Sequence, residues 1–272
     1  MTDALYSKTY HTNKSIEYLI NVYIREYDIR RAGPSALLVG GCIDQNYFKY
    51  LCNLPRQQRQ IQTGLLIKQH PEFDKIRSSI IEESRKQFLD SNGFSESDIL
   101  SIKNDAIYVI EKTPSFTSFY DNRIEFIPKN VYTSYYRYLR TEMYYFIDIV
   151  NQIERIDIKN IGDDKIARHS DFMLDFLLCL FDTAQNSSTA DVIKLLQDMM
   201  TNYVSHNLPL GYYREFNARS EFKFNLSEFT DYYAAFLPDN TDLNLLNIDY
   251  NLKLLRFFYS VFSNIYFANN KG

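Results

Sequence analysis

Tyr27-Asp28-Ile29-Arg30-Arg31-Ala32-Gly33-Pro34-Ser35 decides how the first half of the chain is read. An acidic residue, Asp28, closes an apolar-rich run, and a Pro-Ser pair begins six positions later. A second stretch, Ile99-Leu100-Ser101-Ile102-Lys103-Asn104-Asp105-Ala106-Ile107-Tyr108-Val109-Ile110, carries Asp105 past the end of another such run. Two β-rich runs around Asn104-Asp105 spell a hairpin, because Asn and Asp tolerate the dihedrals of a tight turn. Two carboxylates at the tips of neighbouring strands can hold divalent cations against a triphosphate, which is what nucleotidyl transfer requires.

Working outward, the segment Tyr18 to Ile29 reads as a strand or as a helix, and its period does not separate the two. Gly33-Pro34 ends either one. A helix is expected over residues 34 to 40, stopped at Gly40-Gly41, and a short one from Asp44 to Leu51. Pro55 suits the first position of a helix running to Gln69. Another runs from Pro71 to Asn92, with Phe73, Ile76, Ile80, Ile81 and Phe88 on one face. Asn92-Gly93 supplies its C-cap. Residues 123 to 147 alternate apolar and polar and read as strands. Beyond Gly162 the period becomes helical: Asp163 to Ala184, Ser188 to Ser205 with N-caps in Ser187-Ser188-Thr189-Ala190-Asp191, and Asn225 to Asn270 broken near Pro238-Asp239-Asn240. The expected fold class is α+β, a small antiparallel sheet with helices over residues 1–160 followed by a mostly helical half over 161–272.

Composition narrows the function. The chain has 272 residues, 45% apolar and 24% charged, which describes a folded globular protein with ample core. No apolar run approaches the roughly 18 residues of a membrane span, and Met1 to Tyr10 has no apolar signal core. A cytosolic protein without a membrane partner is expected. Cys42, Cys52 and Cys179 form no CxxC pair, which argues for reduced thiols and against a zinc site. His11, His70, His169 and His206 are scattered without HExxH or HxH spacing. The net charge of −4 exerts no global pull toward nucleic acid. There is no Gly-rich phosphate loop, no nucleophile elbow and no Ser-His-Asp order.

Asp28 to Ser35 resembles the first palm motif of family B DNA polymerases, Asp-x-x-Ser-Leu-Tyr-Pro-Ser, with the same Asp-to-Pro spacing. Arg56-Gln57-Gln58-Arg59-Gln60-Ile61-Gln62-Thr63-Gly64 is similar to the fingers motif Lys-x-x-x-Asn-Ser-x-Tyr-Gly, keeping its basic residue and terminal Gly. Lys103-Asn104-Asp105-Ala106-Ile107 resembles the third motif, Asp-Thr-Asp-Ser-Ile. A Lys-x-x-Tyr, Lys129 to Tyr132, follows where the family carries a primer-contacting element. The resemblance covers roughly residues 20 to 140 and implies a palm-like sheet, small fingers and a helical thumb, with no room before Asp28 for an exonuclease domain.

It also implies roles. Asp28 and Asp105 would ligate Mg²⁺ or Mn²⁺, and two such ions about 4 Å apart would stabilise the attacking and leaving oxygens. Arg56 and Arg59, three apart and so on one helix face, would hold the triphosphate. Lys129 and Tyr132 would touch the primer of a DNA or RNA primer-template. Three departures stand out. Lys103 replaces the first Asp of the third motif and puts a cation beside the carboxylates, where it would neutralise phosphate or repel metal. Gly33 stands where DNA polymerases carry the Tyr that excludes ribonucleotides, which would leave the sugar pocket open. Gln60 and Thr63 replace the fingers Asn and Tyr.

The bland readings are explicit. Asp28 alone is an N-cap or turn aspartate, Asp105 a hairpin-turn aspartate, and Arg56 and Arg59 solvated helix charges. Lys129, Arg137 and Arg140 among Tyr132, Tyr135, Tyr136 and Tyr138 fit a nucleic-acid strip or an amphipathic sheet with a Tyr face. Tyr212 to Arg219 is a second such cluster, read as a helix junction. Three functions are therefore open: a minimal viral or plasmid palm nucleotidyltransferase; a degenerate palm that binds nucleic acid or another replication subunit; and a helical adaptor, in which residues 98 to 110 would be helix.

Overall fold

In the computed structural model, residues 9–148, 153–159, 175–205, 207–209, 212 and 248–270 are described. The described chain is α+β, with antiparallel strand pairs and a helical C-terminal part. It divides into two compact units, one of residues 1–16 and 22–132, the other of residues 17–21 and 133–272.

The first unit starts with β1 (Tyr10–Thr12) and takes β2 (Tyr18–Ile29) from residue 22 onward. The segment that read as strand or helix is therefore a strand, and its later half buries Ile24, Glu26, Tyr27 and Ile29. Four helices follow: α1 (Ala32–Val39), α2 (Gln45–Asn53), α3 (Arg56–Gln69) and α4 (Glu72–Ser91). Their ends obey local chemistry. Asp44 caps α2 by accepting from the Tyr47 N–H at 2.7 Å. Pro55 sits at the N-cap of α3, one place before its expected position. Gly93 adopts φ +62° just beyond α4, a turn that favours glycine. The hairpin is formed by β3 (Ile99–Lys103) and β4 (Ala106–Ile110), with Asn104 in the left-handed region at φ 56°. Because residues 99–110 are hairpin and not helix, the helical-adaptor reading falls.

β5 (Ser118–Phe119) pairs with the start of β6 (Ile124–Tyr138), giving the order β1-β3-β4-β2-β6 in this unit. Helices α1 and α4 cover one face. Ala36, Ile81, Phe88 and Leu89 pack with Tyr27, Ile29, Ile102, Ile107, Val109 and Phe126. The i, i+4, i+7/i+8 spacing of Ile81, Arg85, Phe88 and Leu89 turns one helix face into the sheet.

The second unit contains the rest of β6 with β7 (Thr141–Asp148) and β8 (Ile153–Lys159), followed by α5 (Leu177–Asn186), α6 (Thr189–Val204) and α7 (Ile248–Asn269). β8 was not anticipated from the sequence. Ser188 and Asp191 form a capping box at the start of α6. The core joins Tyr136, Met143, Tyr145 and Ile158 to Leu180, Phe181, Leu196, Leu254 and Phe258. The expected helical residues 163–174 and 225–247, with the break at Pro238, lie outside the described residues.

Phe88 is the hub of the first core, with its ring centroid 4.3 Å from that of Phe126, 5.7 Å from Tyr27 and 5.8 Å from Phe94. Phe88→Ala is expected to cost about 3–5 kcal/mol, measured as a lowered urea midpoint by circular dichroism; a loss under about 1 kcal/mol would contradict this packing.

Candidate functional site

The strand register sets the site. Asp28 lies opposite Ala106 across β2 and β4, and Lys103 opposite Ala106 across β3 and β4. Asn104-Asp105 is thus the two-residue turn of the hairpin, brought to the end of β2. The Ile29 N–H donates to the Asp105 carbonyl at 3.3 Å, and the Asn104 N–H to Thr9 O at 2.7 Å. Behind the turn, the buried Arg85 donates from Nη1 to the Asn104 carbonyl. The two acids, 77 residues apart in sequence, stand close enough to share a proton.

They open into a cleft of about 450 Å³. Its lining includes Asp28, Asn104, Asp105 and Lys129 from the strands and their turn, and Arg56, Arg59, Gln60, Thr63 and Gly64 of α3. Arg31, Ala32, Gly33 and Pro34, at the start of α1, Arg77 and Ile81 of α4, and Ile29 and Ile67 complete the lining. Arg31 is left-handed at φ 53°, a conformation that a bulky residue adopts at a local cost. Five cationic side chains thus surround two carboxylates, which suits a ligand carrying several negative charges.

Electrostatics set Asp105 apart from an ordinary surface carboxylate. Burial, then repulsion from Asp28, pushes the Asp105 carboxyl up to about 6, while Lys129 pulls the other way. Burial works to lower the Lys129 ammonium, but Glu26 and Asp28 outweigh it and hold it above its ordinary value. Lys129 Nζ is 3.1 Å from Glu26 Oε1 and 3.6 Å from Asp28 Oδ2.

The sequence-derived residues separate clearly. Asp28, Asp105, Arg56, Arg59, Gly33 and Lys129 line one cleft. Arg59 is turned so that Nη1 donates to Leu54 O at 3.3 Å. Thr63 Cγ2 of α3 stands 3.3 Å from where a Cβ on Gly33 would be, a tight contact across the cleft. Lys103 is not among the lining residues; its strand ends one step short of the turn. Tyr132 is fully buried and donates its hydroxyl to Glu26 Oε2 at 2.8 Å, so it offers no surface to a primer. Arg137 and Arg140 belong to the other unit and do not line the cleft. The tyrosines just before Arg137 are core residues: Tyr135 and Tyr136 are fully buried, and Tyr136 stacks on Phe181 at 4.5 Å. Residues 213–219 of the second aromatic cluster lie outside the described residues.

Sequence reasoning missed Glu26, Arg31, Arg77 and Arg85. Signals existed for three of them. Glu26 is two before Asp28 and so on the same strand face. Arg77, Ile81 and Arg85 repeat every four residues and so share one helix face. Among the described residues no group of three or more His, Cys, Asp or Glu is placed to hold a metal. None of the described helices is long and apolar enough to cross a membrane.

A family model described as Bacteriophage PBS1 gene 130 protein matches residues 1–261, and the chain belongs to that family. No curated protein matches it.

A carboxyl held near 6 in the fold and near 3.9 in the unfolded chain binds its proton more tightly when folded. Stability is therefore lost as pH rises from about 4 to 6, and the penalty persists above that range. Asp105→Asn removes it. The variant is expected to match the wild type near pH 4 and to exceed it by about 1–3 kcal/mol at pH 7.5, less where solvent enters the cleft. Thermal melts across this range check it; a variant less stable than wild type at pH 7.5 would refute the repulsion.

Proposed function

We propose that this member of the phage family is a palm-type nucleotidyltransferase that transfers a nucleotidyl group from a nucleoside triphosphate to the hydroxyl at a primer end, releasing pyrophosphate, in the host cytoplasm. The observation that carries the reading is the meeting of Asp28 and Asp105 in a cleft whose lining includes Arg56 and Arg59.

The residues fit Mg²⁺ or Mn²⁺ on the chemistry of the donor set. Carboxylate oxygens are the donors these hard ions prefer, and the cleft has room for the waters they keep. Bound there, such an ion supplies charge stabilisation for the attacking and leaving oxygens of an in-line displacement. Asp28 and Asp105 would hold it, and their own repulsion makes them favourable hosts for positive charge. Arg56 and Arg59 present planar forks to phosphate oxygens. Arg31 and Arg77 extend the cationic wall, and Lys129 adds a charge on the acid side. Gly33 with Thr63 shapes the wall that a sugar would meet.

A second reading, a palm that binds nucleic acid or a replication subunit without catalysis, draws on the ammonium of Lys129 already seated 3.6 Å from Asp28. Primer extension with Mg²⁺ or Mn²⁺ decides between them. The wild type is expected to extend a primer, and Asp28→Ala and Asp105→Ala to fall to background. Equal signal in all three removes the catalytic assignment. Nucleic-acid binding without extension in any of them supports the second reading.

A further inference from the structure

The geometry points to Lys129 as a built-in cation of the carboxylate site, clamped by Glu26, so that the Asp28–Asp105 pair takes one divalent ion rather than two. This rests on the reading of that pair as a metal site.

Glu26 precedes Asp28 by two residues on β2, so both side chains leave the same face of the strand. Asp28 reaches the cleft, while Glu26 is only 1% exposed. Its Oε1 accepts from Tyr108 OH at 3.0 Å and from Lys129 Nζ at 3.1 Å. Its Oε2 accepts from Asn130 Nδ2 and Tyr132 OH, both at 2.8 Å. Four donors occupy the acceptor positions a carboxylate offers. Glu26 is therefore committed to these donors and is not available as a third metal ligand. Its effect is on Lys129: the ammonium, usually mobile on a four-carbon stem, is pinned beside Asp28.

Charge completes the argument. Lys129 and the arginines Arg31, Arg56, Arg59 and Arg77 already set five cations around Asp28 and Asp105, with Glu26 the partner of Lys129. A second divalent ion would add surplus positive charge, with Arg85 already lying behind the turn on the Asn104 carbonyl. Lys129 thus supplies Asp28 with positive charge from within the chain, its Nζ 3.6 Å from Asp28 Oδ2.

The test counts Mn²⁺ sites by the loss of the free-ion electron paramagnetic resonance signal, with no nucleotide present. The Asp28→Asn/Asp105→Asn double variant supplies the background from other acidic surfaces. The wild type is expected to bind one equivalent above that background. Lys129→Met is expected to bind two, and Lys129→Arg one. Because Lys129→Met leaves Glu26 buried without its cation, Glu26→Gln/Lys129→Met serves as the variant that keeps the network neutral, with folding checked by circular dichroism. Two equivalents in the wild type, or one in both folded Met variants, overturns the inference and leaves the metal reading standing. No equivalent above background in any variant overturns both, and so separates failure of the metal site itself from failure of the lysine's role.

Discussion

The register between β2 and β4 places Asp28 beside Asp105, and everything about the cleft depends on that contact. Like charges brought together in a partly buried place repel, and burial adds to the cost. A fold tolerates such a pair where something else gains from it. Here the turn that carries Asp105 is tied on three sides: the Ile29 N–H meets the Asp105 carbonyl, the Asn104 N–H meets Thr9, and buried Arg85 meets the Asn104 carbonyl. Those bonds hold the acid against its neighbour instead of letting the turn relax away. A turn aspartate free to move would swing to solvent and lose the shifted proton affinity.

The rest of the cleft arranges positive charge around this pair. Helices α1, α3 and α4 each bring arginine to the lining, and α1 and α3 meet at Gly33 and Thr63 without an intervening side chain. On the strand side, a buried glutamate holds the only lysine of the lining in place. The inner layer of Tyr108, Tyr132 and Glu26 is thus a support for the outer layer of Lys129, Asp28 and Asp105. Alternation along β2 explains how one strand serves both layers: Tyr27 and Ile29 face the core under α1 and α4, while Glu26 and Asp28 face the polar side.

Much of the first unit was legible in local chemistry. The helices from Ala32 to Ser91 follow their Asp, Pro and Gly boundary residues, and the Asn104-Asp105 turn was readable because few residues accept its dihedrals. Burial was harder to read. Tyr132, Tyr135 and Tyr136 looked equally suited to stacking on bases or packing in a core, since an aromatic ring does both. The structure buries all three. β8 escaped notice because Ile153–Lys159 alternates over a short span, and alternation with charges between resembles an exposed strand, a helix turn or a loop.

By itself the sequence determined the helices of the first unit, the hairpin and the two acids at element ends, because these follow from dihedral preference and periodicity over a few neighbouring residues. The tertiary structure alone decided which charges meet: that Arg77 and Arg31 join Arg56 and Arg59, that Lys103 stays outside the cleft, and that Glu26 holds Lys129 from 103 residues away. The reason is physical. Electrostatic interaction falls with distance in space and is indifferent to distance along the chain, so only the folded arrangement says which carboxylate a given ammonium will feel.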